Sequence, residues 1–508
     1  MAFTNSPENS TYRTVPLEFV YNSWPRNGNT TIRRDAEIVN MFYDRNANEN
    51  QTRSMALTKR PGVTDNAISL SKVSSASVVN GYFQDDSTNY IYWSVDGKVF
   101  ELNLSAGAAT QIATMSGTNT SSVNSVGFTS FLTDVGTRYI CFCNGTELYY
   151  SVPGSGVSTK VVDADFPTNP GKDIVFLDGY LFVFKKNTGD IYNSDLNDPG
   201  TWTPGNYVTA EINPDKLIAM TKIKNYLIAF GSDGIEFFYD AANVSGSPLA
   251  RNESYYKNVT LTSNLCTVGD TVYFTGRQKG KGIQVFELDS NEIKTVSNNF
   301  IERVLQTYGT TSVDSTTNDS NTQLFSLSLN GHTFLLLNFI ASGVLYVYDI
   351  DHKFWYRWTF GTEGTDSNKI HAVWTINATT GLPRIVFGGR SNLSYFDNSF
   401  YQDFSQSFTI SYTTEDYDAD TFNWKMCSRM GLHCDFPTTA VATSNAQISW
   451  SDDDGNTFST PRNLNVCSSN PYITQCGRFR SRNWRITYSD NYPFRMWGMT
   501  MDLNVGNI

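Results

Sequence analysis

Long hydrophobic runs are missing from this 508-residue chain. The most apolar stretch, 333–348, is broken by Asn338 and Ser342 and falls short of the roughly 20 residues a membrane-spanning helix needs, so no membrane partner is expected. Charge is also sparse, at 17% Asp, Glu, Lys and Arg, and its balance is acidic, with a formal net charge of −11. That argues against a general nucleic-acid coat, because sequence-independent affinity comes from Lys and Arg neutralising phosphates. Adhesion to DNA is disfavoured, and contact with it is not. Residues 1–19 lack a basic segment followed by an apolar core, so no cleavable export signal is expected.

Cysteine is scarce and odd in number, seven in all, with no dense framework of the kind small secreted domains use. Reduced thiols are expected. Cys141 and Cys143 would share one face of a strand, which suits packing. Cys427, Cys434, Cys467 and Cys476 with His433 lack the short ligand spacing of structural zinc sites, so no metal is expected. The four histidines, at 332, 352, 371 and 433, stand in unrelated contexts. No nucleophile elbow, P-loop, HExxH or dinucleotide fingerprint occurs, so the chain is expected to have no catalytic residues, no cofactor and no enzyme activity.

Aromatic residues are plentiful: 28 Tyr, 33 Phe and 10 Trp, which with few helix-length amphipathic patterns indicates an all-β protein. The repeating element is clearest at 226–240, YLIAFGSDGIEFFYD, where two β-favouring runs flank Gly-Ser-Asp-Gly, a turn sequence that tolerates positive φ. Similar hairpins turn near Asp96-Gly97, Asn144-Gly145, 187–189, Asp233-Gly234, Lys281-Gly282, Ser342-Gly343 and Arg390-Ser391. Their spacing, about 45 residues with one longer step, matches four-stranded propeller blades. A stack of unrelated sandwiches would not hold one period for so long.

The fold class expected is therefore all-β, a six- or seven-bladed β-propeller with an additional C-terminal β-sandwich domain. Residues 1–65 form an extended N-terminal arm, 66–402 the propeller and 403–508 the sandwich. The strand at 37–43 is expected to close the propeller by pairing with, or packing beside, the blade at 385–396. One helix interrupts the strands at 298–308, where Asn298 caps and Phe300, Ile301, Val304, Leu305 and Tyr308 make an apolar stripe. It reads as packed outside or between blades.

Three polar clusters fall in the last hundred residues. Ser451-Asp-Asp-Asp-Gly-Asn-Thr-Phe458 matches the Asp-box pattern of sialidase-like propellers, a device that ties down a hairpin turn. Asp416, Asp418 and Asp420 alternate like the start of a calcium loop, but Thr421 and Cys427 stand where glycine and the bidentate glutamate belong, so a solvated strand face is expected. Arg478, Arg480 and Arg482 would project from one face of a strand and are candidates for contact with a protein partner or phosphate; an exposed strand balanced by nearby acids is the plainer alternative.

Taken in order, these stretches resemble one family. Val39-Asn-Met-Phe-Tyr43 followed by Leu57-Thr-Lys-Arg-Pro-Gly-Val63 is similar to the N-terminal segment of the packaged-DNA stabilisation proteins, or tail nozzles, of short-tailed bacteriophages. The segments 173–182, 194–196 and 229–238 resemble its central blades, 293–308 its one helix, and 448–458 with 477–480 its C-terminal domain. The resemblance implies a structural virion protein of the short tail, assembled in the bacterial host cytoplasm. It implies a closed homo-oligomeric ring, a hexamer, below the portal and adaptor, which retains packaged DNA and conducts it at ejection. The implied partners are other copies of the chain, the adaptor, a tail fibre or tail needle protein, and double-stranded DNA passing through the bore without specific binding. The alternative is a glycan-binding or glycan-hydrolysing propeller of the tail. For a chain assembled in a reducing cytoplasm, mass spectrometry without reductant should find all seven cysteines free, and a bridge such as Cys427 to Cys434 would contradict that compartment.

Overall fold

In the computed structural model, described residues are 11–15, 37–45 and 55–506, apart from 75–76, 86, 106, 118–125, 213–214, 244, 263, 290–291, 309–321, 340–343, 361–369, 376–383, 389 and 436–440. Each of the seven expected hairpins forms the central pair of strands in a four-strand antiparallel unit, to which a strand is added on either side. The first unit, for example, runs Val79–Gln84, Tyr90–Val95, Lys98–Asn103 and Ala109–Thr114. Its central turn is Asp96-Gly97, both residues at positive φ (51° and 72°), which lets two residues reverse the chain. The fifth unit carries an extra short strand, Cys266–Val268, on its inner edge.

The units are apolar on both faces, so none can stand alone. In Arg138–Cys143, Ile140 and Phe142 point into a core shared with the preceding unit, while Cys141 and Cys143 point into one shared with the next. Further cores lie between consecutive units up to the sixth. Neighbouring units touch in chain order, and Ile370–Thr375 of the seventh touches Val79–Gln84 of the first, closing the ring. Glycine permits close approach near the axis: a Cβ on Gly81 would lie 2.3 Å from the Val126 carbonyl oxygen, and one on Gly127 would lie 2.2 Å from that of Lys172.

The ring is closed by the N-terminal segment, though not by the strand expected. Gly62–Ser69 pairs antiparallel with Asn392–Asp397 as the outer strand of the seventh unit, its Asp65 accepting hydrogen bonds from Arg390 and Ser394. Glu37–Val39 instead joins the sixth unit to the C-terminal part of the chain, parallel to Phe354–Trp358 and antiparallel to Ile410–Thr413. Polarity explains the difference. The segment 37–43 is apolar enough to be wanted in a core between two sheets, whereas an outermost blade strand can be as polar as 62–69.

The sixth sheet therefore runs on through Ile410–Thr413, Asn483–Tyr488, Asn445–Ser451 and Arg462–Asn465 to nine strands. A seven-stranded sheet built on Met41–Arg45, Met55–Lys59, Arg495–Val505 and Lys425–Cys434 contributes to the same hydrophobic cluster, with Met430, Leu432, Met499 and Met501 alongside Ile448, Trp484 and Ile486. The helix, Asn299–Tyr308, is capped by Asn298, whose Oδ1 accepts the Ile301 N–H at 2.9 Å. Its Phe300, Ile301, Val304 and Leu305 fill the core between the fifth and sixth units.

One buried ion pair holds the junction. Arg60, with no exposed side-chain surface, donates through Nη1 to Asp403 at 2.9 Å and through Nε to Asn40 at 3.2 Å, and its guanidinium lies 4.3 and 4.0 Å from the rings of Phe360 and Phe408. Asp403, equally buried, also accepts the Val63 N–H. Replacing only Arg60 strands the carboxylate, so Arg60→Met should cost about 3–5 kcal/mol, read as a lowered urea midpoint, and adding Asp403→Leu should recover most of it. A loss no greater than that of a surface substitution would show that the pair does not hold the junction.

Candidate functional site

Among the described residues of the C-terminal part, the most exposed apolar cluster lies where Lys425–Cys434 begins. Phe422 is 81% exposed, and Trp424 and Met426 nearly half. Arg480 sits 5.0 Å from the centroids of both the Phe422 and Trp424 rings. Beneath them the buried Lys425 donates to the carbonyls of Thr421 (2.6 Å), Asn423 (2.9 Å) and Arg480 (2.6 Å). One ammonium thus pins the 421–423 loop against the Arg480 turn. Burial, followed by the nearby Asp418 acting oppositely and Arg480 acting with it, leaves its pKa below the ordinary lysine value.

The three arginines do not form one stripe. Arg478 and Arg480 are exposed, Arg478 in register with Met426, but Arg482 is buried. Its guanidinium makes a bidentate pair with Asp452 at 2.6 and 2.8 Å, donates to the Cys476 carbonyl and lies 4.3 Å from the Phe479 ring. The expected continuous strand fails because the strand ends at Arg478–Phe479, the chain bends at Arg480 and Ser481, and Arg482 re-enters only as a single bridge to Tyr417. Arg482 is thus a structural residue, and the candidate contact reduces to Arg478 and Arg480 with the aromatic pair.

The acidic clusters resolve differently. Asp418 accepts the Asp420 N–H at 3.0 Å, while Ala419 and Asp420 stand at positive φ, so this segment is a turn rather than a strand face. In the Asp-box turn, Ser451 Oγ donates to Asp453 at 2.6 Å, and Asp453 accepts from the N–H and hydroxyl of Thr457 at 2.9 and 2.6 Å. Phe458 lies 3.4 Å from the Arg485 guanidinium. Asp452 of the same turn grips Arg482, so the motif anchors a hairpin to the core.

A cluster that the reading of isolated histidines missed lies at one end of the sixth unit. His332 and His352, 4.9 Å apart between ring centroids, both approach Asp349, through Nδ1 at 2.8 and 3.0 Å. Among the described residues, His433 and the cysteines form no such group. Around the propeller axis, first strands of successive units line a cavity of about 360 Å³, with Phe83, Phe128, Lys172, Asp173 and Lys222 on its wall. That is the scale of a small-molecule pocket, and a duplex whose major groove alone is ~12 Å wide does not fit in it.

A family model described as Bacteriophage P22 Gp10, beta-propeller, matches residues 29–398. The chain belongs to this family of phage stabilisation proteins. The matched span ends just after Asn392–Asp397, the last strand of the seventh unit, so the Phe422–Arg480 surface and the Asp-box lie beyond it. No curated protein matches the sequence. Among solved structures, the WD40 domain of Neurospora crassa Pan2 is 10% identical, over 67% of this chain and 96% of that one, with a TM-score of 0.39. YCF48 from Cyanidioschyzon merolae is 13% identical, over 66% and 98%, with a TM-score of 0.38. At such scores neither likeness bears on function.

The Asp-box of this phage stabilisation protein has a pH signature. Partial burial works against the Asp453 charge, but the Ser451 and Thr457 bonds prevail and hold its pKa at about 2, below the usual 3.8. A depressed carboxylate contributes stability that is complete above the unfolded value and is lost as pH falls through the folded one. Asp453→Ala should therefore cost about 1 kcal/mol or less after solvent screening at neutral pH. In urea melts the gap to the parent should stay constant down to the usual carboxylate value of 3.8 and narrow only below it. A gap independent of pH would rule out the charged form as the tie.

Proposed function

We propose that this chain is a structural protein of a phage tail that forms a closed ring, or nozzle, below the portal and adaptor, retaining the packaged genome and conducting it at ejection. The observation that carries the reading is the family match over 29–398, which covers the whole described ring of four-stranded units. The axis of that ring bears on the route of DNA. Among the described residues the cavity along it, about 360 Å³, is too small for a duplex, and on this reading the conduit runs between several copies of the chain, as a homo-oligomeric ring such as a hexamer would provide.

On this reading each copy works without a catalytic step. A wall beside moving DNA has to exclude it sideways without gripping it, and carboxylates do this where Lys and Arg would bind phosphate and release counterions. The net charge of −11 is in keeping with bore-facing loops that are acidic or neutral. Arg480, stacked with Phe422 and Trp424, and the exposed Arg478 nearby combine the residue types that dominate protein interfaces and would face protein, either a neighbouring copy, the adaptor or a fibre or needle protein.

The test is a particle that lacks this protein. Heads should fill with DNA and then lose it, measured as nuclease-sensitive genome after packaging, and Trp424→Ala with Arg480→Ala should weaken incorporation of an otherwise folded chain. If particles without it keep their genome and lose only receptor or glycan binding, the nozzle reading fails and the glycan-binding alternative replaces it.

A further inference from the structure

We propose that His332, Asp349 and His352 form a binding site for one divalent transition-metal ion, of the Zn²⁺ class, which staples the sixth unit to the strand Met41–Arg45. The three residues come from two turns at one end of that unit. His332 opens the strand His332–Phe339 after a turn in which Asn330 and Gly331 take positive φ (52° and 84°). Asp349 ends Val344–Asp349, and His352 lies in the tight turn that follows.

The donor set is assembled and held. Asp349 Oδ1 accepts the N–H groups of Asp351 and His352 at 3.0 and 3.1 Å, leaving Oδ2 facing both imidazole Nδ1 atoms. The His332 ring stacks on Phe334, 5.4 Å between centroids and 6° from parallel, and meets the edge of Phe42 at 5.1 Å. His352 packs edge-on to Tyr43 at 5.6 Å. Neither ring is free to turn away. The Asp349 side chain has no exposed surface; burial alone would raise its pKa, but the bonds from His332 and His352 hold it below the usual carboxylate range, in the form that ligates.

All three ligand atoms lie within 4.8 Å of one another. Zinc bonds of about 2.0–2.1 Å give tetrahedral ligand edges of roughly 3.3 Å, so the 2.8 and 3.0 Å Oδ2···Nδ1 separations need to open by a few tenths of an ångström and the two Nδ1 atoms to come to a similar distance from each other, each bound imidazole carrying its proton on Nε2. Two imidazoles and one carboxylate suit Zn²⁺ better than the oxygen-seeking Ca²⁺ or Mg²⁺. The 23% exposure of His352 gives a path for the ion and for a water as fourth ligand. On the far side of His332, Nε2 lies 4.0 Å from an Asp44 carboxylate oxygen, longer than a hydrogen bond but placed to become the outer partner that metal-bound histidines usually have. Asp44 is on Met41–Arg45, whose sheet belongs to the C-terminal part of the molecule, and it also approaches Arg495 at 3.6 Å. An ion here would join the two parts.

The experiment uses the full-length chain, stripped with chelator, then titrated with Zn²⁺ by calorimetry and with Co²⁺ by visible absorption. One equivalent should bind, the Co²⁺ spectrum should lack thiolate charge-transfer bands, and Zn²⁺ should raise the thermal midpoint. His352→Ala should abolish binding and the thermal response, and Asp44→Asn should weaken binding about 10–100-fold. The partly buried Cys434 and Cys467 provide the competing explanation, which thiolate bands or unchanged binding in His352→Ala would reveal. Either of those results, or no stoichiometric uptake by the folded parent, overturns the proposal.

Discussion

The Arg60–Asp403 pair is the constraint on which the two halves of the molecule depend. Two opposite charges removed from water are tolerable only if their remaining donors and acceptors are also satisfied, and here they are. Arg60 reaches Asn40, the Pro61 and Thr359 carbonyls and Asp403, while Asn40 in turn binds Thr359 and the Thr409 carbonyl. Four parts of the fold therefore meet at one guanidinium: the incoming arm, the end of the sixth unit, the start of the closing strand and the entry to the C-terminal sheets. Asn40 itself sits at a φ of 57°, a conformation asparagine accepts more readily than most residues.

From that node the architecture follows by the need to cover apolar faces. Each four-stranded sheet has two, and an arrangement in which every face meets the next sheet's face has no ends only if it is circular. The nine-stranded sheet is the exception, since it leaves the ring through Glu37–Val39 and carries the fold's second layer with it. Because one sheet runs unbroken from the sixth unit through Glu37–Val39 into the C-terminal part, the two halves share a core rather than a hinge.

Much of this was legible in the residues. The central hairpins were, because Asp96-Gly97 and Asn144-Gly145 are turn pairs with a steric reason, flanked by period-two apolar runs. Cys141 and Cys143 revealed their shared face for the same reason. The closing strand was not, because Gly62–Ser69 has exposed and half-buried positions that carry no strong pattern, and Gly62 is needed only because the Gln402 backbone passes where a Cβ would be, with the Gln402 nitrogen 2.7 Å away. Arginine alternation misled at Arg482, since a period of two identifies one face only while the strand continues, and this one bends. The His332–Asp349–His352 group lay hidden because hairpin registry, which local composition does not encode, is what brings position 332 beside 352.

Closing the ring with residues 62–69 imposes an order on synthesis. Val63 pairs with Phe396, so the strand emerges from the ribosome long before its partner exists. At ~5–20 residues per second the separation of roughly 330 residues corresponds to something like 15–65 s of translation. Throughout that interval an early strand with unpaired N–H and C=O groups has to avoid other partners, including the same segment of a neighbouring nascent chain. Its polar sequence, with Asp65 and Asn66 at the centre, suits a strand that must wait.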